Sequence, residues 1–221
     1  MQNTNQTSCT TSESSAATNI KSTGCCYKKI TFKQLLQLIS DDLYRYNGQR
    51  GKKCFLKHFL FGIGSKYTIW FRICSFLYSN RLTKYTLGIP ARMILNHYRF
   101  KFGIELFPGT DVGPGLYIGH FGTIIISGGC KIGANCNLSQ GVTIGIKSSG
   151  SHPGAPLIGN NVYIGPGAKL IGGISIGDNC VIGANAVVTK DFPPNSIIAG
   201  IPARNIGDSS ELKYVNNRCC Y

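Results

Sequence analysis

The stretch LYIGHFGTIIIS (116–127) places one titratable ring, His120, in a run of apolar residues and glycines. An imidazole ordinarily titrates near neutral pH, at about 6.5, so it can take up or give back a proton there without help. A second histidine, His152, stands further along in SGSHPGAP. The chain's 10 cysteines include two vicinal pairs, Cys25–Cys26 and Cys219–Cys220. Neither pair shows the C-x₂-C spacing of a metal centre, so no metal is expected. Free thiols in a reducing cytoplasm are the simpler account of them.

The elements that must position His120 are legible as a repeat. Apolar residues recur every six positions through Leu106, Val112, Ile118 and Ile124. After a shift of two the series runs on as Ile126, Ile132, Leu138 and Ile144, and after an interruption as Ile158, Ile164, Leu170, Ile176, Ile182 and Val188. Glycine follows many of them directly, and a small or apolar residue such as Cys130, Cys136 or Cys180 falls four positions on. A hexapeptide period of this kind builds a parallel β-helix, in which stacked coils bury one continuous core. The three cysteines are then packing residues. The fold class is mainly β, with residues 102–207 as the repeat domain.

Residues 146–157 (IKSSGSHPGAPL) break the period with Ser, Gly and Pro, and must leave the prism as a loop. Binding groups concentrate on loops of that kind. Met1–Gly24 is rich in Ser, Thr, Asn and Gln and shows no signal-peptide h-region, so residues 1–27 read as a disordered tail. Residues 208–221 read as a C-terminal tail.

Residues 28–101 form a basic, mostly helical lead-in. They hold 15 Lys and Arg against two acids, Asp41 and Asp42, and so carry +13 of the chain's +14. Helical spacing covers Thr31–Asn47 and a stretch near Ala91–Arg99; Lys57–Asn80 is aromatic-rich but broken by Gly62, Gly64, Lys66 and Arg72. It is too short between charges to span a bilayer. A basic patch of this size suits phosphates, an anionic membrane or nucleic acid.

The closing run IGPGAKLIGGISIGDNCVIGANAVVTKDFPPNSIIAGIPAR resembles the last coils of acetyl-CoA-dependent hexapeptide O-acetyltransferases. PGTDVGPGLYIGHFGTIII with NCNLSQGVTIG is similar to the serine acetyltransferase branch, which also includes acetyltransferases of surface-polysaccharide pathways. The resemblance implies a left-handed β-helix, a homotrimer with active sites between subunits, and acetyl-CoA as co-substrate. It implies that His120 is the base that deprotonates the acceptor hydroxyl for attack on the thioester. Its carboxylate partner falls fifteen residues upstream, at Glu105, and would fix the tautomer and steady the imidazolium. Transfer would be direct, without an acyl-enzyme. Pro166 and Ala184 would meet the pantetheine arm, while Thr189, Lys190 and Arg204 would hold the phosphates and adenine end of the coenzyme.

Several features depart from serine acetyltransferases. Gly119 stands where they carry an Asp, His152 is about three residues out of register with their loop histidine, the helical lead-in is short, and the C-terminus lacks their Ile-terminated tail. His152 and Gly119 are accordingly the acceptor-binding positions. These departures favour a sugar hydroxyl in surface-polysaccharide biosynthesis as acceptor, with serine O-acetylation for cysteine synthesis as the alternative. The expected setting is cytoplasmic, with Lys57–Arg99 in peripheral contact with anionic lipid. A γ-class carbonic anhydrase needs three histidines on the coils, and only His120 and His152 lie there. A nucleic-acid binder would leave His120 and the closing coils without a purpose, and no reading motif is present.

Overall fold

A computed structural model describes residues 29–220; the expected tail at 1–27 lies outside the described residues. Five helices come first: α1 (Phe32–Asn47), α2 (Lys52–Phe61), α3 (Ile63–Tyr78), α4 (Arg81–Tyr85) and α5 (Gly88–Phe102). The boundaries follow local chemistry. Thr31 and Gln34 close a reciprocal capping box at the start of α1. Gly62 ends α2 and begins α3, which divides the aromatic-rich stretch. Pro90 sits in the first turn of α5, where its missing N–H costs nothing. None of the described helices is long and apolar enough to cross a membrane.

Fifteen short strands follow: β1 (Ile104–Leu106), β2 (Asp111–Val112), β3 (Tyr117–Ile118), β4 (Ile124–Ile126), β5 (Lys131–Ile132), β6 (Asn137–Leu138), β7 (Thr143–Gly145), β8 (Leu157–Ile158), β9 (Tyr163–Ile164), β10 (Lys169–Ile171), β11 (Ser175–Ile176), β12 (Val181–Ile182), β13 (Val187–Val188), β14 (Ser196–Gly200) and β15 (Ala203–Asp208). They stack into three parallel sheets: β1-β4-β7-β10-β13, then β2-β5-β8-β11, then β3-β6-β9-β12-β14. An antiparallel β15 closes the third sheet. This is the expected parallel β-helix. Each coil lays its periodic apolar residue inside, so Ile118, Ile126, Leu138, Ile144, Ile164, Leu170, Ile182 and Val188 form a continuous buried column, joined by Cys130, Cys136 and Cys180.

One corner of the prism is held by an asparagine ladder. Asn135, Asn161, Asn179 and Asn195 all have left-handed backbone, which Asn tolerates better than most residues. Each of the first three side chains donates to the next, over 3.2, 3.0 and 3.1 Å.

The helices dock through buried polar clamps. Arg72 on α3 pairs with Asp42 on α1 through two bonds of 2.9 and 3.0 Å, then reaches the carbonyls of Val112 and Gly113. Arg45 donates to Gly115 O, Asn137 Oδ1 and Asn216 O. The C-terminal residues run as a strap over the third sheet: Asn137 donates to Tyr214 O, Tyr214 packs on Tyr163, and Asn135 exchanges two bonds with the Cys219 backbone.

Candidate active site

His120 lies at the corner where the third sheet passes into the first, between β3 and β4. Register explains its prominence. Ile118 pairs with Leu138 and Ile126 with Ile144, so this corner takes eight residues where the one below takes six. The two extra residues bulge outward, leaving Gly119, His120 and Phe121 exposed. They are the shift of two seen in the periodicity. Thr123, at the end of the bulge, has φ 51°, a position that strains a β-branched residue.

The surroundings pin this corner from both ends. Tyr46 of α1 donates its hydroxyl to Ile118 O at 3.1 Å and accepts from Ile118 N at 3.3 Å. Gly64 of α3 presses so close that any Cβ there would overlap the Ile118 carbonyl. On the far side, Gly122 N donates to Phe102 O and Ile124 N to Gly103 O, both at 2.9 Å, which ties the corner to the end of α5. Tyr46 stacks on Tyr117 with centroids 4.6 Å apart. A Cβ at Gly119 would meet that Tyr117 ring at 3.0 Å, a tight approach.

Glu105 projects outward from β1 beside Ile125 of β4, on the sheet that begins at the His120 corner. Its Oε2 is 2.9 Å from Arg99 Nη2 of α5, in a pair about one-third exposed. Among the described residues, His120 has no side-chain hydrogen-bond partner, and Glu105 is engaged by Arg99 rather than by the imidazole. Arg99, Tyr46 and Gly64 are positions that sequence reasoning missed, since they reach the corner from 21 to 74 residues away in the chain. Gln140, on the corner one coil beyond, is another. Its backbone neighbour Gly141 donates to Gly122 O, and its Oε1 is buried without a partner among the described residues.

The positions expected to hold the coenzyme divide between two edges. Pro166 and Ala184 stack on the same edge as His120, with Asn185 N donating to Pro166 O at 2.8 Å. Arg204, exposed on β15 and paired with Ala199, lies near that edge because Ala199 packs beside Gly183. Thr189 and Lys190 follow β13 and lie at the opposite edge of the first sheet, where Lys190 Nζ sits 5.6 Å from the Phe192 ring centroid. His152 is on that opposite edge too. Its loop is a short hairpin in which Lys147 and Gly154 exchange backbone bonds, and the His152 carbonyl accepts from Gly173 N. One chain therefore separates His120, Glu105, Pro166, Ala184 and Arg204 from His152, Thr189 and Lys190 by the width of a sheet.

Residues 155–190 match the bacterial transferase hexapeptide family (six repeats). A serine acetyltransferase of Synechococcus elongatus is 36% identical over 135 residues, covering 61% of this chain and 53% of the relative. The solenoid is similar to the serine acetyltransferase branch of the hexapeptide-repeat proteins. Among solved structures, a serine acetyltransferase from Brucella abortus in complex with coenzyme A superposes with a TM-score of 0.64 at 26% identity, covering 80% of this chain and 68% of that one. One from Neisseria gonorrhoeae in complex with serine gives 0.63 at 26%, covering 80% and 70%. The chain thus spans little more than half the length of the first of these relatives. These likenesses back the serine alternative over the surface-polysaccharide sugar, for which they offer no support.

Proposed function

We propose that this chain is an acetyl-CoA-dependent serine O-acetyltransferase. The observation that carries the reading is the His120 corner, an exposed imidazole on a two-residue bulge pinned by α1, α3 and α5, within a solenoid similar to serine acetyltransferases. His120 takes the proton of the serine hydroxyl as the oxygen attacks the thioester carbonyl, and coenzyme A leaves as the thiol. Glu105, held by Arg99, stands on the adjoining face as the carboxylate that this reading assigns to orienting the imidazole. Pro166, Ala184 and Arg204 line the coenzyme's path along the same edge. Because His152, Thr189 and Lys190 occupy the other edge, a site that uses both sets needs two copies of the chain. A homotrimer satisfies this, with one copy giving its His120 edge and its neighbour the His152 edge.

Thiol release from acetyl-CoA, followed with a chromogenic thiol reagent, tests the reading against L-serine and a panel of sugars. Turnover with serine, reduced at least about 10²-fold in His120→Ala, is the expected result. Turnover only with a sugar, or turnover indifferent to His120, overturns it.

A further inference from the structure

The sequence placed membrane contact in Lys57–Arg99, but most of α3 faces inward, with Tyr67, Ile69, Phe71 and Cys74 in the core. Outward basic and apolar surface lies on α4 and α5, where Leu82, Leu87, Met93 and Phe100 are exposed near Arg81 and Lys101, and on α1 and α2, where the lysines are densest and a cavity opens between the helices. We propose that the α1–α2 face docks on an anionic lipid bilayer.

Helix α2, KKCFLKHFLF, buries one residue of its ten, Cys54. Phe55, Leu56, Leu60 and Phe61 are exposed, Phe61 to 80%, and Phe32 and Leu36 of α1 join them. Exposed lysines interleave with these side chains: Lys29, Lys33, Lys52, Lys53 and Lys57. The carboxylates of this region, Asp41 and Asp42, are buried and paired with Arg50 and Arg72. The face is therefore both apolar and of a single sign. A cavity of about 300 Å³ opens between the two helices, walled by Leu36, Ile39, Leu43 and Phe55, with Arg50 and Lys52 in its lining. Apolar depth beside fixed cations is what an acyl chain under an anionic headgroup requires.

Charge decides the occupant. A second copy would set five lysines against five with no exposed carboxylate between them, so the face repels itself. A polynucleotide would satisfy the lysines but leave Leu36, Leu56 and Leu60 in water. An anionic bilayer satisfies both features.

The test is co-sedimentation of the full chain with phosphatidylcholine vesicles, with and without about 30% phosphatidylglycerol, at low and high salt. Binding to the anionic vesicles alone, weakened by salt, is expected. Lys52→Gln, Lys53→Gln and Lys57→Gln together should lower the partition coefficient at least about 10²-fold, and Leu56→Ser with Phe61→Ser should also lower it. Acetyl transfer in vesicle-free solution should be unchanged in both variants, which separates misfolding and failure of the enzymatic reading from failure of docking. No binding at low salt, equal binding to neutral vesicles, or equal retention on a short DNA duplex overturns the proposal. So does a smaller assembly on sedimentation of the Leu56→Ser, Phe61→Ser variant alone, since the face would then lie between copies.

Discussion

Replacing Asp42 with Asn is the sharpest test of how the helices are held on the solenoid. Asp42 and Arg72 have side chains 1% and 4% exposed, and Asp42 Oδ1 also accepts from Leu116 N at 2.8 Å. Asn keeps the shape and, through Oδ1, the bonds from Leu116 N and Arg72 Nη2, but it removes the charge and sets an amide NH2 against Arg72 Nε, leaving the guanidinium buried without a counter-ion. Breaking a buried pair in this way costs about 3–5 kcal/mol. For a chain of this size that corresponds to a fall of roughly 6–20 °C in Tm. Thermal and urea unfolding at pH 7 and one fixed protein concentration measure it. The double variant Asp42→Asn, Arg72→Met removes the stranded cation and should be more stable than Asp42→Asn alone. A single-variant loss below about 1 kcal/mol, or a double variant whose loss equals the sum of the two singles, would refute a buried, coupled clamp.

Three further outcomes follow from the same geometry. Gly64→Ala should force α3 off the Ile118 carbonyl, lowering Tm and raising the KM for the proposed serine acceptor. Burial, with Lys57 beside it, holds the His58 imidazole below its usual range. The unfolded chain then binds the proton more readily, so stability present above about pH 6.5 is lost as pH falls below it; the drop in urea midpoint between pH 7 and 5.5 should shrink in His58→Gln. Burial pushes the thiols of Cys130 up to about 11 and of Cys74 and Cys136 up to about 12. At pH 8 these three should react with a chromogenic thiol reagent only after urea unfolding, whereas the exposed Cys220 reacts at once, and Cys220→Ser should remove that fast thiol.

What the sequence determined is what is periodic and local. The hexapeptide series named the inward residues from Leu106 to Val188 because side-chain direction along a coil depends on near neighbours alone. The slip from Ile124 to Ile126 even marked the bulge that lifts His120, although its meaning as an outward excursion needed the strand register. Gly62 marked the break in the aromatic stretch, and Gly48, at φ 66°, ends α1 through its own backbone freedom. The asparagine ladder was visible as IGAN, IGNN and IGDN, but not as a ladder until the coils stacked.

What only the tertiary structure decided depends on contacts between distant segments. The pairing of Glu105 with Arg99, the clamp of Tyr46 and Gly64 on Ile118, and the C-terminal strap all join side chains to surfaces that carry no pattern of their own. The placement of His152 and Lys190 on the edge opposite His120 was hidden for the same reason. Sequence distance is blind to which corner of the prism a residue turns, and one strand of drift carries it across a whole sheet.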